Sequence, residues 1–364
     1  MGLPASRPAG AAADRTTVAF DALGAERGPD VVVAGVGAAA AEGIGVRVFG
    51  RSSELSGLAA APGVEVIDSR ESIGNHESPV GAVRSRPEAS IVRAAADVAE
   101  GSSQALASPG STGATMTAAL FALGRIRGVQ RPALAVQLPA PARERPLLML
   151  DVGANAEARS SHLIQFAYLG SAFAESALGM SRPRVALLSV GEEESKGSTL
   201  VVEAHAALAG SATLRFVGNV EGRELLDPGA DVIVTDGFTG NVVLKTVEGT
   251  ARTVAEAVRG AARANVRSAA GGLLLRPALG PLREAMDPDA TGGAILLGIR
   301  GVAVVGHGSA GAEGIANQIR LAARAASERT VERTGELIER SGVGRSALRA
   351  RGTAGDAERS PREA

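Results

Sequence analysis

Short apolar runs alternate with longer amphipathic or alanine-rich segments through most of the chain. The short runs are rich in Val, Leu and Ala and predict β-strands at residues 18–20, 46–49, 64–67, 105–107, 134–137, 147–150, 185–188, 214–217, 232–235 and 302–305. The longer segments predict helices at residues 30–41, 89–100, 112–123, 160–178, 199–209, 239–266 and 312–341. Short apolar strands separated by helices form a sheet with both faces covered, so the pattern predicts a three-layer α/β fold with a mostly parallel sheet.

The two ends of the chain differ in composition from the part between them. Residues 1–15 and 345–364 are rich in Ala, Arg, Gly and Ser and predict disordered tails around one domain at residues 16–344. Within the domain, the sequence Gly-Gly-Leu-Leu-Leu at residues 271–275 is flanked by arginines and interrupts the strand–helix rhythm. It predicts a helical hairpin insertion at about residues 260–286 that rests on an anionic membrane surface or packs against a partner subunit.

Composition narrows the functions open to the chain. Hydrophobic residues make up 45% of it and aromatic residues 2%, so the core is aliphatic and stacking surfaces for single-stranded nucleic acid are scarce. The formal net charge of -1 supplies no basic field for a polyphosphate backbone, so we expect no nucleic-acid partner. The absence of cysteine excludes disulfides and thiolate chemistry, and the four histidines show no metal-ligand spacing. Without a signal peptide or a membrane-length apolar run, the sequence predicts a cytoplasmic protein that binds no metal.

Seven polar loops centred on glycine each follow a predicted strand. They lie at residues 21–24, 108–113, 151–155, 191–197, 218–222, 236–241 and 306–309. Glycine lets backbone N–H groups approach a ligand closely, and α/β sheets place their ligands at the carboxyl ends of strands. Together the loops indicate a site for an anionic substrate, with phosphate as the first candidate.

The loop Ser-Pro-Gly-Ser-Thr-Gly-Ala at residues 108–114 is the strongest candidate for an anion cradle. It joins a predicted strand to a predicted helix, so the N–H groups of Ser111, Thr112 and Gly113 would point from the helix N-terminus at a bound phosphate. The alternative is an ordinary capped helix start, because Ser and Thr favour that position in any helix.

Only two of the 38 basic residues are lysines, and both lie near glycine-rich loops. Lys196 ends the run Gly-Glu-Glu-Glu-Ser-Lys at residues 191–196, where it could neutralise a phosphate as a point charge. Asp236 and Asn241 belong to the second such loop, with Lys245 one helical turn further on. Each loop taken alone is also compatible with a solvated turn; their joint occurrence favours a site.

Two other enzyme classes match parts of the sequence less well than the phosphate interpretation does. Glycine patterns at residues 35–40 and 306–311 match a dinucleotide-binding fingerprint weakly, because the first lies within a helical pattern and the second is followed by no further strand. The segment at residues 109–113 resembles a hydrolase nucleophile elbow but has Pro at the position of the first glycine. A nicotinamide-dependent dehydrogenase remains an alternative, and a serine nucleophile is disfavoured.

Taken together, the loops resemble those of the PlsX family, the bacterial acyl-carrier-protein:phosphate acyltransferases of membrane phospholipid synthesis. The matching elements follow the family order over about residues 16–325, and the most specific ones are Gly-Glu-Glu-Glu-x-Lys-Gly at 191–197 and Asp-Gly-Phe-x-Gly-Asn at 236–241. The resemblance implies a fold similar to isocitrate and isopropylmalate dehydrogenases and to phosphotransacetylases. It also implies a homodimer with peripheral membrane contact.

Several positions depart from the family pattern. Ala25 and Glu26 stand where the first loop has Gly-Asp, and Ser111 stands where the cradle has Asn. Pro87 lies in a stretch that is rich in lysine and serine in the family, and Val305-Gly306 stands where the family has a lysine just before the His-Gly-Ser element. These departures leave open a divergent, non-catalytic PlsX-like scaffold at the membrane.

The resemblance implies that inorganic phosphate attacks the thioester of an acyl-acyl carrier protein, giving acyl phosphate and free carrier in fatty acid and phospholipid biosynthesis. It requires no metal or organic cofactor. We expect Lys196 and the turn from Ser111 to Gly113 to bind phosphate, and His307 to donate a proton to the leaving thiolate. Asn241 and Lys245 are candidates for the thioester oxygen or the phosphopantetheine arm, and Asp236 for orienting one of them. The product would pass to an acyl-phosphate-using glycerol-3-phosphate acyltransferase.

An acidic carrier protein is expected to dock on a basic surface. The predicted hairpin combines basic and apolar residues, and it falls where the family has its membrane-facing helical tip. The residues expected to contact the carrier or the membrane are Arg263, Arg267, Leu273, Leu274, Leu275 and Arg276.

Overall fold

One eleven-stranded sheet runs through the protein in the computed structural model, which describes residues 15–138, 145–226, 229–285 and 288–344. Its strands are β1 (Thr17–Asp21), β2 (Gly45–Gly50), β3 (Val64–Asp68), β4 (Ala105–Ser108), β5 (Ala133–Leu138), β6 (Leu147–Leu150), β7 (Arg184–Ser189), β8 (Arg215–Glu221), β9 (Val232–Val234), β10 (Ala294–Leu297) and β11 (Val302–Val305). The order across the sheet is β3-β2-β1-β4-β11-β10-β5-β6-β9-β7-β8.

The sheet contains two parallel sets of strands that run in opposite directions. Seven of its ten strand pairs are parallel, which confirms the prediction of a mostly parallel sheet. Strand β10 is antiparallel to both β11 and β5, so β11 and β5 run in the same direction. The direction reverses between β5 and β6, which are antiparallel. The carboxyl ends of β1, β4 and β11 therefore lie at one edge of the sheet, and those of β6, β9, β7 and β8 lie at the opposite edge.

Helices cover both faces of the sheet, as the sequence predicts. They are α1 (Pro29–Ala41), α2 (Pro79–Ser85), α3 (Ser90–Ala99), α4 (Thr112–Leu123), α5 (Ser160–Ser176), α6 (Thr199–Ala209), α7 (Gly237–Arg263), α8 (Val266–Ala285), α9 (Ala312–Ser327) and α10 (Thr330–Ser341). Helices α1, α5, α6, α9 and α10 contribute to the core on one face. Helices α2, α3 and α4 and the first part of α7 pack on the other. This arrangement is the predicted three-layer fold.

The core is aliphatic, as the composition predicts. Strands β4, β6 and β11 are buried along their whole length, because helices cover both of their faces. Phe20, Phe166 and Phe173 are the largest of the fully buried side chains, and Ala, Val and Leu fill most of the remaining space.

All ten predicted strand segments form strands, but several other boundaries differ from the prediction. Strand β10 and helix α2 were not predicted, since each is short and follows residues without clear periodicity. The predicted helix at residues 312–341 is two helices, because Arg329 adopts a left-handed conformation with φ of 53° between them. The predicted helix at residues 239–266 is α7, which begins at Gly237 and ends at Arg263, and α8 follows it.

The predicted tails lie outside the described residues, apart from Arg15. This residue was assigned to the N-terminal tail, but its guanidinium donates hydrogen bonds to the carbonyl oxygens of Ala40, Gly43 and Ile44. Arg15 thus ties the start of β1 to the end of α1, and it belongs to the domain rather than to the tail.

Candidate active site

A buried carboxylate organises the carboxyl end of β1. Asp21 accepts hydrogen bonds from the Ser90 hydroxyl at 2.5 Å and the Ser108 hydroxyl at 2.8 Å. It also accepts from the backbone N–H groups of Leu23 and Gly24. Burial raises the pKa of the Asp21 carboxyl, and the four hydrogen bonds act against that rise.

The predicted anion cradle follows β4 at the same edge. Gly110 donates its N–H to the Ser108 hydroxyl at 3.0 Å, and Ser111 caps helix α4 by accepting from the N–H of Ala114. Ser111 and Gly113 are partly exposed and Thr112 is exposed, so the first N–H groups of α4 face solvent-accessible space. The structure therefore forms the helix start that the sequence predicts, with the geometry of a capped helix.

Two further loops complete this edge. Gly306 donates its N–H to the Ser108 carbonyl at 2.9 Å, which places the loop after β11 beside the cradle. The N–H of Glu26 donates to the Gly308 carbonyl at 2.9 Å, and a Cβ atom on Gly308 would lie 2.5 Å from a Glu26 carboxylate oxygen. We refer to residues 21–26, 108–113 and 306–309 as the Ser108 edge.

Helix α7 brings two of the predicted catalytic residues together at the Ser108 edge. The ammonium of Lys245 lies 2.8 Å from Glu248 Oε2, and His307 Nε2 lies 3.8 Å from Glu248 Oε1. The side chain of Lys245 is 54% exposed and that of His307 is 41% exposed, so a ligand can reach both. Glu248 thus accepts a hydrogen bond from Lys245 and lies near His307 beside the cradle loops.

The start of α7 lies at the other edge of the sheet. Asp151, completely buried after β6, accepts hydrogen bonds from the N–H groups of Leu134, Gly153, Ala154 and Asn155 and from the Asn155 side chain. Gly240 packs so closely on this loop that a Cβ atom there would clash with the Asp151 carbonyl. We refer to residues 151–155 and 236–241 as the Asp151 edge.

Two predicted catalytic residues lie at the Asp151 edge. Asp236 caps α7, because its carboxylate accepts from the N–H of Thr239 at 2.9 Å and from the Thr239 hydroxyl at 2.7 Å. Asn241 is exposed on the first turns of α7, and its side chain lies beside Gly153. Asn241 and Lys245 are four residues apart on one helix and therefore share a face.

Lys196 is exposed in the loop between β7 and α6. The Ser189 hydroxyl donates to the Lys196 carbonyl at 3.0 Å, and the Asn219 amide nitrogen donates to the Glu193 carbonyl at 2.9 Å. The amide oxygen of Asn219 is buried without a partner in the described part of the chain. These contacts fix the backbone of the loop, and Lys196 itself is exposed.

The prediction that Lys196 and Ser111 bind one phosphate within a single chain is wrong. Ser111 follows β4 and Lys196 follows β7, and the two strands are separated by β11, β10, β5, β6 and β9. Six strand spacings correspond to about 29 Å across the sheet. Because β4 and β7 also run in opposite directions, the two loops lie at opposite edges. The sequence could not reveal this, since the reversal depends on the antiparallel pairing of β5 with β6.

The helical hairpin of α7 and α8 carries the remaining predicted residues. All six of them are exposed, namely Arg263, Arg267, Leu273, Leu274, Leu275 and Arg276, and Leu274 is 82% exposed. A Cβ atom on Gly272 would lie 2.9 Å from the Ala262 Cβ, so the two helices pack closely near their junction. None of the described helices is long and apolar enough to cross a membrane.

Sequence reasoning missed three carboxylates that organise these edges. Asp21 and Asp151 stand at strand ends within loops that the sequence singled out, so their positions carried a usable signal. Glu248 lies three residues after Lys245 on α7, and that spacing favours a side-chain pair. Its contact with His307 depends on how α7 crosses the sheet and has no sequence signal.

Comparison with known proteins places the chain among acyl-transferring enzymes. The family described as "Fatty acid synthesis protein" matches residues 16–333. The phosphate acyltransferase of Lactococcus lactis subsp. lactis is 41% identical over 307 residues, which cover 83% of this chain and 92% of the relative. The phosphate acyltransferase of Thermus thermophilus is 45% identical over 304 residues, which cover 83% of this chain and 92% of the relative.

Solved structures confirm the predicted fold. The phosphotransacetylase of Streptococcus pyogenes aligns with a TM-score of 0.58 and 17% identity, covering 86% of this chain and 94% of that one. The branched-chain phosphotransacylase of Enterococcus faecalis aligns with a TM-score of 0.54 and 16% identity, covering 85% of this chain and 99% of that one. At such identities the alignments establish the phosphotransacetylase-like architecture.

Proposed function

The chain belongs to the fatty acid synthesis protein family, and we infer from this that it works as the phosphate acyltransferases do. It is an acyltransferase. Its substrates are an acyl-acyl carrier protein and inorganic phosphate, and its products are acyl phosphate and the free carrier thiol. The family match over residues 16–333 is the observation that carries this conclusion.

The Ser108 edge is the place we propose for phosphate. The N–H groups of Thr112 and Gly113, which precede the capped N–H of Ala114, are the proposed donors to the anion, and the helix dipole favours negative charge at that point. Phosphate is already anionic near neutral pH, so one of its oxygens can attack the thioester carbonyl without a covalent enzyme intermediate. Positioning and preorganised donors supply the catalysis.

Lys245 and His307 are the residues we assign to the negative charges that develop on the thioester oxygen and on the departing sulfur during transfer. The thioester oxygen gains negative charge as phosphate attacks, and the Lys245 ammonium can stabilise it. The C–S bond then breaks, and His307 can donate a proton to the departing sulfur. The position of both side chains beside Glu248 supports this assignment, because it places the lysine and the imidazole in one region of the surface.

Asn241 is assigned to the phosphopantetheine arm of the carrier. It shares a face of α7 with Lys245 and is exposed, so an extended arm passing along the helix would meet both side chains. Asp236 supports Asn241 indirectly, since it caps the helix that carries it. Lys196 is not part of this site within one chain.

The hairpin is proposed as the docking surface for the acidic carrier protein and for the membrane. Exposed arginines on α7 and α8 match an acidic partner, and the leucine triplet matches the acyl region of an anionic bilayer. We further propose a cytoplasmic homodimer that contacts the membrane peripherally. Its acyl phosphate would be consumed there by an acyltransferase that uses glycerol 3-phosphate.

Incubation of the purified protein with an acyl-acyl carrier protein and phosphate tests the proposal. We expect acyl phosphate, trapped with hydroxylamine, and free carrier thiol in equal amounts, with neither product formed when phosphate is omitted. Carrier binding without either product would instead identify a non-catalytic scaffold. A Lys245→Ala variant serves as the control for contaminating activity.

A further inference from the structure

Asp21 is an ionisable side chain buried where no cation neutralises it. The residue is 3% exposed, and its described hydrogen-bond partners are hydroxyl and backbone N–H groups rather than a lysine or arginine. Burying a carboxylate is costly unless it accepts several hydrogen bonds. The four donors around Asp21 reduce that cost, so the arrangement fixes the groups that donate to it.

One of those donors, the Ser108 hydroxyl, is also hydrogen-bonded to the loop that forms the anion cradle. The Ser108 hydroxyl donates to Asp21 Oδ2, and the same hydroxyl oxygen accepts the N–H of Gly110 at 3.0 Å. Gly110 immediately precedes Ser111, the cap of α4. The carboxylate therefore orients the hydroxyl, and the hydroxyl orients the peptide that leads into the helix start.

The first loop reaches the cradle by a second route. Gly24 donates its N–H to Asp21, and a Cβ atom on Gly24 would lie 2.4 Å from the Gly110 nitrogen. The two glycine backbones are thus in contact, and Asp21 holds the turn that brings them together. Both routes end at Gly110.

The other hydroxyl that donates to Asp21 belongs to Ser90, at the start of α3. Ser90 is 1% exposed, much as Ser108 is fully buried, and it donates to Oδ1 at 2.5 Å. Ser90 is the first residue of α3, and its N–H donates to the Glu71 carbonyl. Ser90 and Ser108 are therefore two buried hydroxyls on one carboxylate, of which only Ser108 contacts the cradle.

We propose that Asp21 is a positioning residue that presets the cradle at Ser111 for phosphate, and that it acts through Ser108. The inference rests on the proposed function, because the cradle is the phosphate site of that function. Asp21 does not contact the phosphate. An asparagine would not replace it, since the amide N–H groups of Asn would face the donors that a carboxylate accepts from.

Two matched variants test the proposal. Ser108→Ala and Ser90→Ala each remove one hydrogen bond to Asp21, and Ser108→Ala also removes the acceptor of the Gly110 N–H. Both should lower the melting temperature, Ser108→Ala somewhat more. In Ser108→Ala we expect the KM for phosphate to rise about tenfold, with the KM for acyl carrier protein unchanged, because a misaligned cradle weakens phosphate binding. In Ser90→Ala the KM for phosphate should stay within about twofold of the original value.

Binding of inorganic phosphate alone, measured by calorimetry on the same proteins, separates this inference from the proposed function. If the unaltered protein forms no acyl phosphate but Ser108→Ala still weakens phosphate binding selectively, the positioning role stands and the reaction is wrong. If both variants weaken phosphate equally, or neither does, the positioning role is overturned. Asp21→Asn should weaken phosphate at least as much as Ser108→Ala, and normal phosphate binding in that variant would also overturn it.

Discussion

His307 Nε2 and Glu248 Oε1 lie 3.8 Å apart, although one residue follows β11 and the other lies in the middle of α7. Helix α7 begins at the Asp151 edge and reaches the Ser108 edge at this contact. The same carboxylate holds Lys245 at 2.8 Å. A single helix therefore carries Asn241 near one edge of the sheet and presents Lys245 near the other.

The first prediction concerns His307 as proton donor to the leaving sulfur. His307→Ala should lower kcat for an acyl carrier substrate by about 10²–10⁴-fold, the range of general acid catalysis. The loss should largely disappear with an aryl thioester, because an aromatic thiolate leaves without protonation. His76→Asn, at an exposed histidine, should leave both substrates unaffected.

The two substrates decide between catalysis and structure. Equal losses with the alkyl and the aryl thioester would assign His307 to holding the loop after β11 rather than to proton transfer. The comparison needs only initial rates of thiol release at saturating phosphate.

The second prediction concerns the separation of Lys196 from Lys245. Lys196 follows β7 at one edge of the sheet, whereas Lys245 reaches the Ser108 edge in the same chain. In the proposed homodimer, Lys196 of one protomer can serve the site of the other. We expect Lys196→Ala and Lys245→Ala to be inactive separately, and co-expressed mixtures to regain about a quarter of the activity through mixed dimers with one intact site.

Recovery of thiol release in the mixed sample is the measurement. A Lys196→Ala protein with full activity would show that this lysine has no part in catalysis. Mixtures without recovery would place both lysines in one protomer's site, which the strand order contradicts.

The third prediction concerns the hairpin. Replacing Arg263, Arg267 and Arg276 by alanine should raise the KM for acyl carrier protein by about tenfold or more, because electrostatic attraction between the exposed arginines and the acidic carrier is lost. The KM for phosphate should not change. An unchanged carrier KM would remove the docking role from these arginines.

The leucines of the hairpin have a separate test. Replacing Leu273, Leu274 and Leu275 by serine should abolish sedimentation of the protein with anionic lipid vesicles. Turnover in solution should stay intact, since the triplet lies on α8, beyond the residues assigned to catalysis. Unchanged sedimentation would assign the exposed leucines to a protein interface.

The sequence was sufficient for the local parts of this fold and insufficient for their arrangement. Loops such as that at Ser111 were predictable because a strand end, glycines and a helix cap leave a local pattern. The position of Lys196 relative to Ser111 was not, because the sheet direction reverses between them where β5 pairs antiparallel with β6. The meeting of Glu248 and His307 likewise depends on residues far apart in sequence.

The last prediction concerns acid stability through His162. Burial, together with the nearby charges of Arg131 and Arg159, lowers the pKa of His162 from 6.5 to about 4. The unfolded chain takes up a proton at this residue below its ordinary pKa, but the folded chain does so only near pH 4. The free energy of unfolding therefore falls as the pH drops through this window, by about 2 kcal/mol between pH 7 and pH 5.

Denaturant unfolding at those two pH values measures the effect. In His162→Asn the free energy of unfolding should fall by about 2 kcal/mol less than in the original protein, because an amide does not titrate. The amide oxygen can still accept the Arg159 N–H that His162 Nδ1 accepts at 3.2 Å. In His76→Asn, a change at an exposed histidine, the free energy of unfolding should fall as much as it does in the original protein. An identical pH dependence in all three proteins would show that His162 is not the group responsible.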